Sequence, residues 1–154
     1  DKAVEEKLVH KYDVNQRRIA TTEYGFDESF VTRKLFEYDD QGNVITETHV
    51  NEKGTILHKI LTRYDEKNRP VEQQFDNAFL LKTTLDEEGR EIKQELINLP
   101  QNIIETLQFI EYSSHGKMKE KRTYKAGEHK ALESGKFSDV DSDYISSIYQ
   151  YEYY

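Results

Sequence analysis

No cysteine and no tryptophan occur in the 154 residues, and methionine appears only once. Without Cys there is no disulfide framework, no thiolate nucleophile and no Cys-based zinc site. Two Pro and seven Gly exclude collagen-like and Pro-rich linker classes. Long apolar runs are also missing. The longest, Ala78–Leu81, is far below the roughly 20 residues a membrane-spanning helix needs, so no such segment is expected. Nor is there an excess of positive charge: 22 Lys and Arg against 30 Asp and Glu leave a net charge of −8, which repels phosphate backbones and argues against a nucleic-acid partner. Even Lys117, Lys119, Lys121 and Arg122 are interleaved with Glu120 and read as a solvated strand face.

What is present is polar and ring-rich. Leu, Ile, Val and Phe together number 37, just above the level at which high charge implies disorder, so one domain with a thin core is expected. Eleven Tyr and seven Phe supply amphipathic rings suited to a sheet with a wet face.

Internal periodicity is the strongest signal. Tyr12-Asp13, Tyr38-Asp39 and Tyr64-Asp65 are followed by Leu85-Asp86 and Tyr112-Ser113, at steps of 26, 26, 21 and 27. Four residues after each Tyr or Leu stands Gln16, Gly42, Asn68, Gly89 or Gly116, and seven after it Ile19, Ile45, Val71, Ile92 or Lys119. In Tyr38-Asp39-Asp40-Gln41-Gly42-Asn43, Asp39 can accept from backbone N–H groups two residues on and Gly42 can take positive φ, which predicts a four-residue hairpin loop with Tyr38 opposite Asn43 and Phe36 opposite Ile45. Second turns are expected at Tyr24-Gly25, Asn51–Gly54, Asp76-Asn77, Pro100–Asn102 and Ala126-Gly127. Period-two alternation places Phe30, Thr32, Lys34, Phe36 and Tyr38 on one face, expected to be the buried one.

No segment carries three turns of helical periodicity. The expected fold is therefore all-β: an antiparallel meander of about 10 or 11 strands built from β-hairpin repeats, as an open twisted sheet or a barrel-like closure. The units run 8–30, 31–56, 57–79, 80–104 and 105–125, with a polar loop at 126–143 and a last strand at 144–154.

Tyr-Asp-Asp-Gln-Gly-Asn-Val-Ile at 38–45, Leu-Asp-Glu-Glu-Gly-Arg-Glu-Ile at 85–92 and Tyr-Asp-Glu-Lys-Asn-Arg-Pro-Val at 64–71 resemble the Tyr-Asp (YD, Rhs-like) repeats of bacterial secreted and surface proteins. The resemblance covers roughly residues 8–124 and departs from the pattern at Val14-Asn15-Gln16-Arg17 and at Tyr112-Ser113. It implies β-hairpin repeats that, in large members, coil into a shell around a toxic cargo domain. It carries over no catalytic residue. It also implies a secreted, periplasmic or outer-surface location. The opening residues Asp1–Lys7 lack the apolar centre of a signal peptide, so a cytoplasmic protein or a chain already trimmed of its leader is expected.

Several clusters invite a functional reading. His49 and His58 flank one turn; with Val50 opposite Thr55 they and Glu47 share the Tyr face as diagonal neighbours, a geometry that admits a shared metal although structural histidines are the expectation. Asp139, Asp141 and Asp143 have the spacing that opens a calcium loop, but Tyr144 and Gln150 stand where Gly and Glu are needed, so no metal site is expected there. No nucleophile elbow, glycine-rich phosphate loop or metalloprotease His-Glu pattern occurs, so neither enzymatic activity nor a cofactor is expected. Tyr149, Tyr151 and Tyr153 project to one side of the last strand and form a platform that could meet a protein partner or stack a glycan. The expected function is a non-enzymatic binding or interaction module of a bacterial secreted or envelope protein. The alternatives are a small-ligand-binding β-barrel, with Phe36, Ile60, Tyr64, Leu81 and Ile110 around the ligand, and an immunity-type protein whose negative charge complements a basic cognate toxin.

Overall fold

The computed structural model of the chain describes residues 7–125 and 147–151. Eleven strands follow one another: β1 Lys7–Tyr12, β2 Arg18–Tyr24, β3 Phe30–Tyr38, β4 Val44–Val50, β5 Ile56–Tyr64, β6 Pro70–Phe75, β7 Phe79–Leu85, β8 Glu91–Asn98, β9 Ile103–Tyr112, β10 Met118–Lys125 and β11 Ser147–Gln150. Their order in the sheet is their order in the chain, an antiparallel meander with β1 and β11 at its edges. Among the described residues there is no helix. Among the described residues β1 and β11 do not pair, so the sheet is open and not the closed barrel that a ligand among Phe36, Ile60, Tyr64, Leu81 and Ile110 would need. The chain divides into two compact units, one up to Arg63 and one from Tyr64.

Among the described residues one turn conformation recurs seven times. At Asp39 the backbone N–H donates to Asn43 O (3.0 Å) and Gly42 N–H donates back to Asp39 O (3.1 Å), while Gly42 sits at φ 90°. This is a three-residue loop, a tight turn closed by a left-handed residue. The same two bonds form at Asp13, Gly25, Asn51, Asp65, Asp86 and Ser113, with the left-handed place filled by Gln16, Glu28, Gly54, Asn68, Gly89 and Gly116. The turns joining β6 to β7 and β8 to β9 differ; there Asp76 and Asn102 take positive φ.

A second irregularity follows six of these seven turns. Glu37 pairs with Thr46 but Tyr38 pairs with Val44, leaving Ile45 as a bulge residue. By the same count Ile19, Val31, Leu57, Ile92 and Lys119 are extra residues in their strands. Each therefore lies six positions after the residue that opens its turn, a place filled by an apolar side chain in every case but Lys119. The two irregularities correct the expected register: Tyr38 does not face Asn43, and Phe36 opposes Glu47 rather than Ile45. Because each shifts the pairing by one residue, their effects on side-chain facing cancel, and Phe36 stays on the face its alternation assigned.

The core is thin. In the first unit Ala20 and Val50 are the buried apolar residues, with Thr21, Thr22 and Thr46 buried beside them. Along β3 the Tyr face is the more covered one, since Phe30, Thr32, Lys34, Phe36 and Tyr38 are half-buried and the residues between them exposed. Ala20, Thr22, Thr46 and Val50 nevertheless lie on the opposite face, so burial is shared between the faces. In the second unit Leu107, Ile110 and Tyr124 are buried. Tyr124 opposes Leu107 and meets Phe109 edge-to-face, with ring centroids 6.1 Å apart.

Candidate functional site

The Tyr-Asp turns carry the most organised chemistry. Asp39 Oδ1 accepts from the N–H groups of Gln41 (2.9 Å) and Asn43 (2.8 Å), and its Oδ2 accepts from the Asn43 side chain (3.0 Å). Where the fourth residue after Asp is Arg, the guanidinium takes that last place: Arg17 on Asp13 (2.8 Å), Arg69 on Asp65 (2.7 Å) and Arg90 on Asp86 (2.6 Å). Ionised acceptors make the stronger bonds, and bonds to the charged form lower a carboxyl pKa. The side chain and N–H of Asn43 hold Asp39 below its ordinary value, and those of Arg69 do the same for Asp65. Burial pushes Asp86 upward, but the N–H and guanidinium of Arg90 together outweigh it.

Within each compact unit, Tyr then ties one hairpin repeat to the repeat before it. Tyr38 Oη donates to Arg18 O (2.8 Å), and Arg17 lies over the Tyr38 ring with its guanidinium carbon 5.2 Å from the centroid. Tyr112 Oη donates to Glu91 O (3.1 Å), and Arg90 lies 4.8 Å over that ring. In both cases the carbonyl is five residues, and the Arg four residues, past the preceding turn Asp. Burial raises the Tyr112 phenol pKa, which keeps it a donor. Leu85 stands at the Tyr position without a hydroxyl, and Arg69 Nη1 reaches the Asp86 carbonyl instead (3.4 Å).

The predicted aromatic platform is divided between described and undescribed residues. Tyr149 pairs with Lys121 across the β10–β11 ladder, and Tyr151 N–H donates to Lys119 O (3.0 Å). Tyr149 and Tyr151 are 56% and 43% exposed. Tyr153 lies outside the described residues, as do Asp139, Asp141, Asp143 and the polar loop 126–143. Beside this edge the carboxylate of Glu120 binds Arg122 and accepts from Gln150 Nε2 (3.3 Å), and these two partners lower its pKa in that order.

On the Tyr face of the first unit, Leu8, His10, Arg18, Thr21, Glu23, Thr32, Lys34, Phe36 and Glu47 line a polar cavity of about 280 Å³. His49 faces His58 directly, rather than diagonally, because the bulge at Leu57 shifts the pairing. Their ring centroids are 6.3 Å apart, and His49 Nε2 lies 2.7 Å from Glu47 Oε1. Among the described residues no three His, Asp or Glu side chains are grouped to hold a metal ion. His10 Nδ1 lies 3.0 Å from Thr21 Oγ1. The hydroxyl and the carboxylate thus engage different histidines, which is not the relay that hydroxyl nucleophiles require. The Asp–Arg–Tyr tie was the feature hidden from sequence reasoning; its one trace was Arg at 17, 69 and 90, each four residues after Asp.

Neither a family model nor a curated protein matches the sequence. Among solved structures the chain is similar to the Tc holotoxin pore of Photorhabdus luminescens with a mutant TccC3, at TM-score 0.50 and 13% identity over 80% of this chain and 10% of that one. It is similar to TcdB2-TccC3-TEV and to TcdB2-TccC3-Cdc42, each at TM-score 0.52 and 11% identity over 79% of this chain and 8% of theirs. At such identities the likeness is one of fold, and this chain spans a tenth or less of the chains it matches. No described helix is long and apolar enough to cross a membrane.

Proposed function

We propose that the chain is a non-enzymatic interaction module of a bacterial secreted or envelope protein built from Tyr-Asp, Rhs-like repeats. The observation that supports this reading is the tie repeated at Tyr38 and Tyr112, in which the tyrosine hydroxyls and the preceding turn carboxylates Asp13 and Asp86 are engaged in structural bonds. The fold likeness to structures containing TccC3 supports it, because those are multi-protein toxin assemblies. Recognition is assigned to a protein partner at the β11 edge, where Tyr149 and Tyr151 present exposed rings beside Lys119 and Lys121.

The test is calorimetric titration of the chain with the protein products of the genes flanking its own, using wild type and the Tyr149→Ala/Tyr151→Ala variant. Expected is binding of one such product, weakened about tenfold or more in the variant while its melting temperature is unchanged. Equal affinity for both would move the site off β11. Binding of a toxin that is thereby inactivated would replace the reading with the immunity-type one, and a signal only on a glycan array would replace protein by sugar.

A further inference from the structure

Tyr12 is the first of the Tyr-Asp tyrosines, and its turn is built like the others. Lys11 pairs with Ala20 and Tyr12 with Arg18, the same offsets that Glu37 and Tyr38 make with Thr46 and Val44. Yet the rings differ in surroundings. Tyr38 and Tyr112 are half-buried, each under an Arg and bonded through its hydroxyl to a carbonyl. Tyr12 is 55% exposed; among the described residues its ring has only His10 at 6.4 Å, and no acceptor is seen for its hydroxyl. All of β1 is exposed, Leu8 and Val9 included, and among the described residues β1 pairs on one side only. An edge strand presents unpaired N–H and C=O groups, which natural sheets commonly guard with charge. Of the two lysines on β1, Lys7 is engaged, its ammonium 3.6 Å from Glu28 and over the Tyr24 ring, while Lys11 is exposed and is the one charge left on this edge among the described residues.

We propose that the β1 edge is a docking site for one kind of partner: a β-strand that leaves an Asp turn carrying Arg four residues after the Asp. That strand pairs antiparallel with β1, lays its Arg over Tyr12 and offers the next carbonyl to the Tyr12 hydroxyl. The occupant is specified by the two filled examples, Arg17 with Arg18 O on Tyr38 and Arg90 with Glu91 O on Tyr112. A second copy meeting β1 through its own β1 would not supply this set, because β1 precedes its turn. The inference stands on this comparison alone and holds whether or not the partner at β11 is as assigned above.

The probe is the chain's own β7–β8 segment, residues 79–98, which carries the Asp86 turn and Arg90. It is added to the full chain as a peptide and, separately, joined ahead of the full chain by a flexible linker that raises its local concentration to the millimolar range. Amide hydrogen exchange across β1 is read by NMR together with the Tyr12 ring shifts. Expected is exchange slowed about tenfold across Lys7–Tyr12 in the linked protein, with that protection reduced about threefold by Tyr12→Phe or by Arg90→Ala in the added segment. Combining the two substitutions should cost less than the sum of each, since both act on one contact. An added segment that leaves β1 exchange unchanged, folded or not, overturns the proposal. So does protection that ignores both substitutions, which would mean generic edge pairing, or a concentration-dependent dimer through β1.

Discussion

The turns at Asp39 and Asn51 close the two ends of β4 with the same backbone bonds and the same left-handed glycine, yet they are not equivalent. Asn51 Oδ1 accepts from Lys53 N–H (3.0 Å) and Thr55 N–H (2.9 Å), as Asp39 Oδ1 does from Gln41 and Asn43. A neutral amide oxygen is therefore sufficient to build the turn. What Asp adds is a second oxygen, and at Asp13 and Asp86 that oxygen orients the Arg that covers the next unit's Tyr. The turns at the other ends of the hairpins shape the chain, whereas the Tyr-Asp turns also bind repeat to repeat.

The comparison can be broken most severely at the shared backbone. Gly42 sits at φ 90° with open space where a Cβ would stand, no heavy atom coming within 4 Å, so Gly42→Val meets only backbone strain. A loss of about 2 kcal/mol in urea unfolding is expected, with a like loss for Gly54→Val at φ 80°. If the two differed widely, the turns would not share one conformation.

Removing a hydroxyl separates tied from untied tyrosines. Tyr38→Phe and Tyr112→Phe should each cost about 1 kcal/mol through the lost bond to Arg18 O or Glu91 O. Tyr12→Phe, with no acceptor seen among the described residues, should fall within about 0.5 kcal/mol of wild type. Equal costs at all three would dissolve the distinction between filled and open positions.

Acid should distinguish Asp from Asn turns. Asp39 and Asp65 have folded pKa values below their unfolded ones, so their stabilisation is complete above about pH 4 and is withdrawn as pH falls through the lowered values. Amides of the Asp39 turn should lose exchange protection in that window relative to those of the Asn51 turn, which carries no titrating group at that position. Parallel loss at both would assign acid sensitivity to global unfolding.

The smallest effect expected is that of Arg17→Lys. It keeps a cation near Asp13 but gives up the planar fork over Tyr38, for a cost of about 0.5 kcal/mol by double-mutant cycle with Tyr38→Leu.

Strands and turns were legible because their signals are local: Asp and Gly at fixed offsets, and alternation such as Phe30 to Tyr38. Register was not. Ile19, Ile45 and Ile92 look like ordinary strand residues, and only pairing reveals them as bulges. Side-chain facing survived that error because two single-residue slips restore parity. The tie from Tyr38 to Arg18 spans 20 residues and ends on a carbonyl, an atom every residue has, so composition carries no mark of it. Of the aromatic row, Tyr149 and Tyr151 are exposed on the edge as a strand pattern implies, while Tyr153 falls outside the described residues.

Because each tie observed within a unit runs between neighbouring repeats, cohesion there is nearest-neighbour in kind, like that of a linear array of coupled spins. Such an array melts from its ends. Opening free energies measured strand by strand should form a gradient, low at β1 and rising inward, instead of one value for a single all-or-none body. It is also a design that tolerates duplication or loss of a whole hairpin, since a new neighbour needs only a Tyr, an Asp and an Arg in place to be accepted.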